Sequence, residues 1–133
     1  MTEDELNLEG QIQSQIGAEL LRMASHMGPG ILLYAEPTER EVQSGVFVGD
    51  DNQMDMMMAT TLLNELVREL WRARNRAAPG QGWIAMTFLM LQNEYRVDYI
   101  DAPVLDPGGN ANERCKAAIR RLLGPVNIVD RGL

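Results

Sequence analysis

The stretch that decides the fold runs from Trp83 to Asp101 and reads WIAMTFLMLQNEYRVDYID. Its first part, Trp83 to Leu91, is a short apolar run between turn residues, which is typical of a strand buried on both faces. Gln92-Asn93-Glu94 has the composition of a turn. Tyr95 to Ile100 then alternates apolar and polar side chains, which is the period of a second strand. The stretch therefore predicts a β-hairpin.

The first strand of this hairpin has no polar face. An antiparallel strand with one wet face alternates more cleanly, so this strand is predicted to lie inside the sheet with its second face covered. A helix, a second copy of the chain or a partner protein would each provide that cover. A buried helix is the alternative for the run itself. The lead-in Pro79-Gly80-Gln81-Gly82 and the alternating second strand favour the hairpin.

The rest of the chain predicts three helices and two or three further strands. Helical spacing of apolar residues indicates the helices, and short apolar runs between turn residues indicate the strands. The predicted elements are a helix from Asp4 to Met27, strands from Ile31 to Glu36 and Val42 to Val48, a helix from Thr60 to Ala77, the hairpin, a helix from Asn110 that Gly124-Pro125 ends, and a short tail over 126–133. Gln53 to Met58 is either a short strand or the start of the second helix, and we favour the strand.

These elements predict an α+β fold, in which helices pack on a single antiparallel sheet of four to five strands in the order α-β-β-(β)-α-β-β-α. Residues 1–133 are expected to form one domain, with flexible ends over 1–10 and 125–133. No apolar stretch reaches the roughly 18 residues of a membrane helix, and the acidic N-terminal sequence does not fit a signal peptide. With the single cysteine, Cys115, these features indicate a cytoplasmic protein.

The charge of the chain is unevenly distributed. The net charge is −7; residues 1–66 carry twelve acidic and two basic side chains, whereas residues 67–133 carry seven acidic and ten basic ones. Such an acidic protein is a poor ligand for nucleic acid, whose phosphates need basic contacts. Opposite charge steers association, so a basic protein is the better candidate partner. The alternative is that the acidity only keeps the protein in solution.

The acidic side chains of the first half surround a methionine-rich segment. Flexible methionines line adaptable binding surfaces, although they also fill cores. Because only Arg40 opposes these carboxylates, the segment predicts a docking surface for a basic protein, with a solvated face as the alternative. The predicted partner-binding residues are Glu36, Glu39, Glu41, Asp50, Asp51, Asp55, Met54 and Met56.

No group of residues in the sequence has the pattern of a catalytic, metal or cofactor site. His26 and Cys115 are single residues of their type, so they form no zinc set. Cys115 lies on an apolar helical stripe and is interpreted as a small buried hydrophobic residue. The glycine-containing turns lack the lysine of a phosphate-binding loop. Paired carboxylates such as Asp98 with Asp101 are interpreted as solvated charges, so a small enzyme is the least favoured reading.

The hairpin resembles that of the YezG-like immunity proteins, which are similarly short and acidic. The shared pattern is a tryptophan that opens an apolar strand, a turn, a strand with an aromatic residue before Val-Asp-Tyr, and a helix with a Glu-Arg start and a Leu-Gly end. The matching residues are Trp83, Phe88, Tyr95, Val97, Asp98, Tyr99, Asp101, Glu113-Arg114 and Leu123-Gly124, and Leu33-Tyr34-Ala35-Glu36 is also similar. The resemblance covers most of residues 12–124.

That resemblance implies the antidote of a bacterial toxin–immunity pair. Such a protein binds and neutralises the C-terminal domain of its cognate toxin, commonly a nuclease, by stoichiometric contact and without a catalytic residue or cofactor. An acidic antidote suits a basic nuclease. Class I type III secretion chaperones, which hold an effector segment as homodimers, share the predicted order of elements and are the alternative. The two-sided apolar strand would suit a dimer, and the sequence leaves monomer and dimer open.

Overall fold

A computed structural model of the chain describes residues 3–24, 30–38, 40–49, 53–77, 85–91, 94–100 and 111–130. These residues form three helices and six strands, which confirms the predicted α+β class. The elements are α1 (Glu3–Ala24), β1 (Gly30–Pro37), β2 (Val42–Gly49), β3 (Gln53–Met57), α2 (Thr61–Ala77), β4 (Ala85–Leu91), β5 (Glu94–Ile100), α3 (Ala111–Leu123) and β6 (Asn127–Asp130).

The six strands form one mixed sheet with the order β5-β4-β1-β2-β3-β6. β1 lies near the middle of the sheet and pairs antiparallel with β2 on one side and β4 on the other. β3 pairs antiparallel with β2 and parallel with β6. Because β1 has a strand on each side and helices over both faces, all eight of its residues are buried.

The predicted hairpin is confirmed over the part that the structure describes. β4 and β5 pair antiparallel along their whole length, and β4 is an interior strand because β1 lies on its other side. Glu94 opens β5 rather than completing the turn. Trp83 and residues 92–93 lie outside the described residues.

Each face of the sheet carries its own apolar core. Neighbouring residues of a strand point to opposite faces, so each inner strand contributes to both cores. The larger core, under α1 and α2, contains Ile12, Ile16, Leu20, Ile31, Leu33, Ala35, Val46, Val48, Leu63, Val67, Leu70, Ala73, Met86, Phe88 and Met90. The smaller core, under α3, contains Leu32, Tyr34, Phe47, Met54, Met56, Ala85, Cys115, Ala118, Ile119 and Val126. Helices of the chain itself thus cover the apolar strand β4.

The sheet differs from the prediction in its number of strands and in the direction of one. The prediction of four to five strands, all antiparallel, is wrong because β6 adds a strand that runs parallel to β3. The predicted tail over 126–133 contains this strand, Asn127–Asp130. Four residues are too few for a recognisable alternation. The direction of β6 depends on where α3 ends above the sheet, and no local sequence pattern encodes that position.

The methionine-rich segment is a strand, as favoured from the sequence. Met54 and Met56, which were predicted to bind a partner, are buried in the smaller core, the other role that the sequence left open for methionines. Met58 follows the strand and is exposed. Thr60 then caps α2, since its hydroxyl accepts a hydrogen bond from the N–H of Leu63 at 3.1 Å.

The predicted helices are confirmed, with small differences at their ends. The structure describes α1 as far as Ala24, and residues 25–29, including His26, lie outside the described part of the chain. α3 ends at Leu123, where Gly124 has a φ of 83° and its N–H donates to the carbonyl of Arg120 at 2.8 Å. No helix of the described residues is long and apolar enough to cross a membrane.

Candidate functional site

A cavity of about 340 Å³ opens where β3 stops and β2 continues. β3 ends at Met57, opposite Val46 of β2. Among the described strands, residues 42–45 of β2 therefore have a neighbour only on the β1 side. The residues that line the cavity are Tyr34, Val42, Gln43, Ser44, Met56, Met58, Ala59, Asn64 and Cys115.

The unpaired part of β2 presents backbone hydrogen-bonding groups on the side of the cavity. The N–H of Thr38 donates to the carbonyl of Glu41 at 2.8 Å, so Glu41 and every second residue after it in β2 bond toward β1. Alternate residues of an antiparallel strand direct their N–H and C=O groups to opposite sides. Val42 and Ser44 therefore direct these groups away from β1. An extended segment of another protein can add to such an edge as a further strand.

A buried polar network joins the cavity wall to α3. The guanidinium of Arg114 donates to the two carboxylate oxygens of Glu36 at 2.7 and 2.8 Å, and the hydroxyl of Tyr34 donates to the same carboxylate at 2.5 Å. Burial raises the pKa of Glu36, but the bonds from Arg114 and Tyr34 outweigh burial and hold this pKa below its usual value. The carboxylate is therefore ionised at neutral pH and is held inside the fold.

The described residues that line the cavity have apolar or uncharged polar side chains. Burial and the bond to Glu36 raise the pKa of Tyr34, so this phenol stays neutral. The hydroxyl of Ser44 donates to the side-chain oxygen of Asn64 at 2.6 Å. Cys115 is buried in the smaller core, as predicted.

The carboxylates of the described residues also form no cluster that would hold a metal ion. No group of three or more histidine, cysteine or carboxylate side chains lies together in that part of the chain. Carboxylates such as Asp98 instead pair with a neighbouring cation, since the guanidinium of Arg96 lies 2.9 Å from it.

Three of the acidic residues predicted to bind a partner are described, Glu36, Glu41 and Asp55, and these three do not lie on one patch. Glu41 is exposed beside the cavity, whereas Asp55 lies opposite Val48, toward the other end of β2. At roughly 3.3 Å per residue, these two positions are about 20 Å apart along the strand. Glu36 points into the buried network. Glu39, Asp50 and Asp51 lie outside the described residues.

Two further acidic residues of the first half form internal ion pairs. Glu19 accepts bonds from Arg22 at 2.6 and 2.8 Å and from the hydroxyl of Thr60 at 2.6 Å. The bonds from Arg22 and then Thr60 lower the pKa of Glu19 to about 2. Glu9 lies 3.3 Å from the guanidinium of Arg74 on α2. The acidic charge on the surface is therefore smaller than the sequence count suggests.

An exposed apolar side chain lies at the rim of the cavity. Met58 lines the cavity and is 63% exposed. Glu41 stands at the same rim, where its carboxylate accepts a bond from Gln43 at 3.4 Å. We call the cavity together with Met58 and Glu41 the corner site. Glu41 and Met56 were predicted from the sequence to bind a partner, but Val42 was not, because a strand pattern alone does not show where a neighbouring strand stops.

Comparison with known proteins adds no relative to these observations. The chain matches no protein-family model, and no curated protein matches its sequence.

Proposed function

We propose that this protein acts by binding another protein at the corner site, and that it is the immunity protein of a toxin–immunity pair. The observation that carries the proposal is a cavity of about 340 Å³ whose lining includes Met56 and the exposed Met58. Flexible methionines line adaptable protein-binding surfaces. The described residues that line the cavity have apolar or uncharged polar side chains, which supports stoichiometric binding.

Charge favours a basic toxin domain, such as a nuclease, as the partner. The chain carries a net charge of −7, and Glu41 stands at the rim of the corner site. A nuclease domain has a positive groove for nucleic acid, which a negative surface attracts and can block. The resemblance of the hairpin to that of the YezG-like immunity proteins supports the same partner. We place this encounter in the cytoplasm, in line with a chain that has a single cysteine.

A class I type III secretion chaperone is the second candidate function. The observation that favours it is the unpaired edge of β2 beside the cavity, at Val42 and Ser44. Such an edge accepts an extended segment as an added strand, with side-chain specificity from the neighbouring cavity. An antidote would instead contact the surface of a folded domain with the exposed Met58.

Capture of the partner from the cells of origin separates these candidates. The tagged wild-type chain is compared with two variants, Met58→Asp at the corner site and Leu8→Asp on α1, because both positions carry exposed apolar side chains. We expect wild type and Leu8→Asp to retain one folded, basic toxin domain at one to one, and Met58→Asp to lose it. Retention of a secreted effector through an extended segment would support the chaperone. Equal retention by all three chains would contradict binding at the corner site.

A further inference from the structure

Met58 differs from the other described methionines in its exposure to solvent. Seven of the nine methionines of the chain lie in the described residues. Met58 is 63% exposed. The other six pack in or against the two cores, Met54 and Met56 in the smaller and Met23, Met57, Met86 and Met90 in the larger. Among these seven side chains, Met58 is therefore the one that is open to reagents dissolved in water.

The exposure of the side chains changes over three consecutive methionines at the end of β3. Met56 is 6% exposed and lies in the smaller core, Met57 is partly buried against the larger core, and Met58 follows the strand. Successive residues of a strand point to opposite faces, so the helices on the two faces of the sheet shield Met56 and Met57. Met58 is exposed because β3 ends before it. Met56 and Met57 are therefore internal references for Met58.

The sulfur of an exposed methionine reacts with hydroperoxides. The sulfur attacks one oxygen of hydrogen peroxide, and an S–O bond forms as the O–O bond breaks. The proton on the transferred oxygen passes to the leaving hydroxide, which departs as water. The sulfur is oxidised, the peroxide is reduced, and the product is methionine sulfoxide, a polar and chiral side chain in place of an apolar one. Because peroxide must reach the sulfur, buried methionines react more slowly than exposed ones.

We propose that Met58 is an oxidation site through which hydroperoxides control binding at the corner site. The effect on the partner rests on the proposed function, whereas the position of the oxidation does not. Met58 lines the cavity, so the sulfoxide oxygen forms within the surface that contacts the partner. A polar group in an apolar contact loses its hydration on binding and gains no hydrogen bond in return, which weakens the association.

The cavity also offers hydrogen-bond donors to the new oxygen. Gln43 and Asn64 line the cavity together with Met58, and each carries an amide NH₂ group. The side-chain oxygen of Asn64 accepts the bond from Ser44, so its NH₂ group can donate to another acceptor. A methionine side chain is flexible, and its sulfoxide oxygen can turn toward these donors. The oxidised side chain would then occupy the cavity that the partner contacts.

Oxidation of Met58 should be reversible and should leave the fold intact. Methionine sulfoxide reductases return the sulfoxide to the thioether, with a separate enzyme for each sulfoxide epimer. Met58 belongs to neither core, so its sulfoxide disturbs no core packing. Oxidation of Met54 would instead place a polar group inside the smaller core. Control of binding can therefore be separated from damage to the fold.

The first measurement locates the oxidation. The folded full chain is treated with hydrogen peroxide, catalase stops the reaction at set times, and mass spectrometry of peptide fragments gives the sulfoxide fraction of each methionine. We expect Met58 to oxidise at least about tenfold faster than Met56 and Met57, and the three rates to converge when the chain is unfolded in urea. Equal rates for these three methionines in the folded chain overturn Met58 as the oxidation site.

The second measurement tests the effect on binding. The oxidised chain, freed of peroxide, is titrated calorimetrically with untreated toxin domain. Met58→Leu is the matched variant, because leucine is apolar and similar in volume. Oxidised wild type should bind with a Kd at least about fivefold higher, whereas oxidised Met58→Leu should keep its Kd. Treatment with reductases for both epimers should restore the Kd of wild type, and circular dichroism melting shows that each chain is folded.

The outcomes separate this proposal from the proposed function. Wild type that carries the sulfoxide at Met58 and still binds as tightly as the untreated chain overturns the control by oxidation. Oxidised Met58→Leu that loses as much affinity as oxidised wild type also overturns it, because the effect then arises at another residue. A chain that binds no toxin domain before oxidation contradicts the proposed function instead, and the oxidation rates still decide whether Met58 is the oxidation site.

Discussion

Arg114 on α3 and Glu36 on β1 form a two-pronged ion pair, with Nε and Nη2 of the arginine 2.7 and 2.8 Å from the two carboxylate oxygens. The residues lie 78 positions apart in the chain. The hydroxyl of Tyr34 donates to the same carboxylate. The pair therefore fastens α3 to the central strand of the sheet, next to the cavity of the corner site.

Removal of Arg114 should destabilise the fold markedly. Arg114→Ala leaves the ionised carboxylate of Glu36 buried with only Tyr34 as a donor, and we expect a loss of about 2 to 3 kcal/mol in the free energy of unfolding. Urea denaturation measures this loss. Arg121→Ala on the same helix is the matched control, because Arg121 is exposed and should change stability by less than about 0.5 kcal/mol. Equal effects of the two variants would contradict a structural role for the pair.

Glu19 should make the stability of the fold depend on pH in acid. Bonds from Arg22 and Thr60 lower its pKa to about 2, below the ordinary value of 4.5. A carboxylate with a lowered pKa in the folded state stabilises fully above its unfolded pKa and loses that contribution as the pH falls through its folded pKa. The contribution is thus present above about pH 4.5 and is lost toward pH 2.

Glu19→Gln should remove that dependence. The variant is expected to be less stable than wild type at neutral pH and to lose less further stability between pH 4.5 and 2. Urea unfolding at a series of pH values provides the comparison, with the exposed Glu65→Gln as control. The assignment to Glu19 fails if the variant loses as much stability in acid as wild type does.

Two glycines should respond to alanine with opposite signs. Gly49 has a φ of +154°, and a Cβ there would lie 2.1 Å from the carbonyl oxygen of Gln53. Gly49→Ala should therefore lower the free energy of unfolding by about 2 kcal/mol or more. Gly10 lies within α1, with nothing within 4 Å of an added Cβ, so Gly10→Ala should raise it by about 0.5 to 1 kcal/mol. Thermal unfolding of both variants checks the signs, and two changes in the same direction would contradict this account.

The sequence predicted those parts of the fold that have a local period. The hairpin of β4 and β5 was recognisable because an apolar run and an alternating strand lie close together in the chain. β6 was missed because its pairing with β3 depends on contacts across more than 70 residues. Distance along the chain also affected the prediction of the site. Glu36 was predicted to be a surface charge because its partner, Arg114, is distant in sequence.

The corner site could be predicted only in part for a related reason. Met56 and Glu41 were recognisable from composition. Met56 lies in a methionine-rich segment, and Glu41 lies in an acidic segment. The cavity itself arises because β3 stops at Met57 while β2 extends further to Val42. That mismatch in strand length becomes visible only when the register is known.

The most direct test of the central claim is a calorimetric titration of the captured toxin domain into wild type, Met58→Asp and the control Leu8→Asp. The control lies toward the other end of the α1–α2 pair, next to Glu9 and its partner Arg74. We predict one-to-one binding by wild type and the control, and a Kd at least about tenfold higher for Met58→Asp, since a charge placed in an apolar contact is costly. Equal Kd values for all three chains would contradict binding at the corner site.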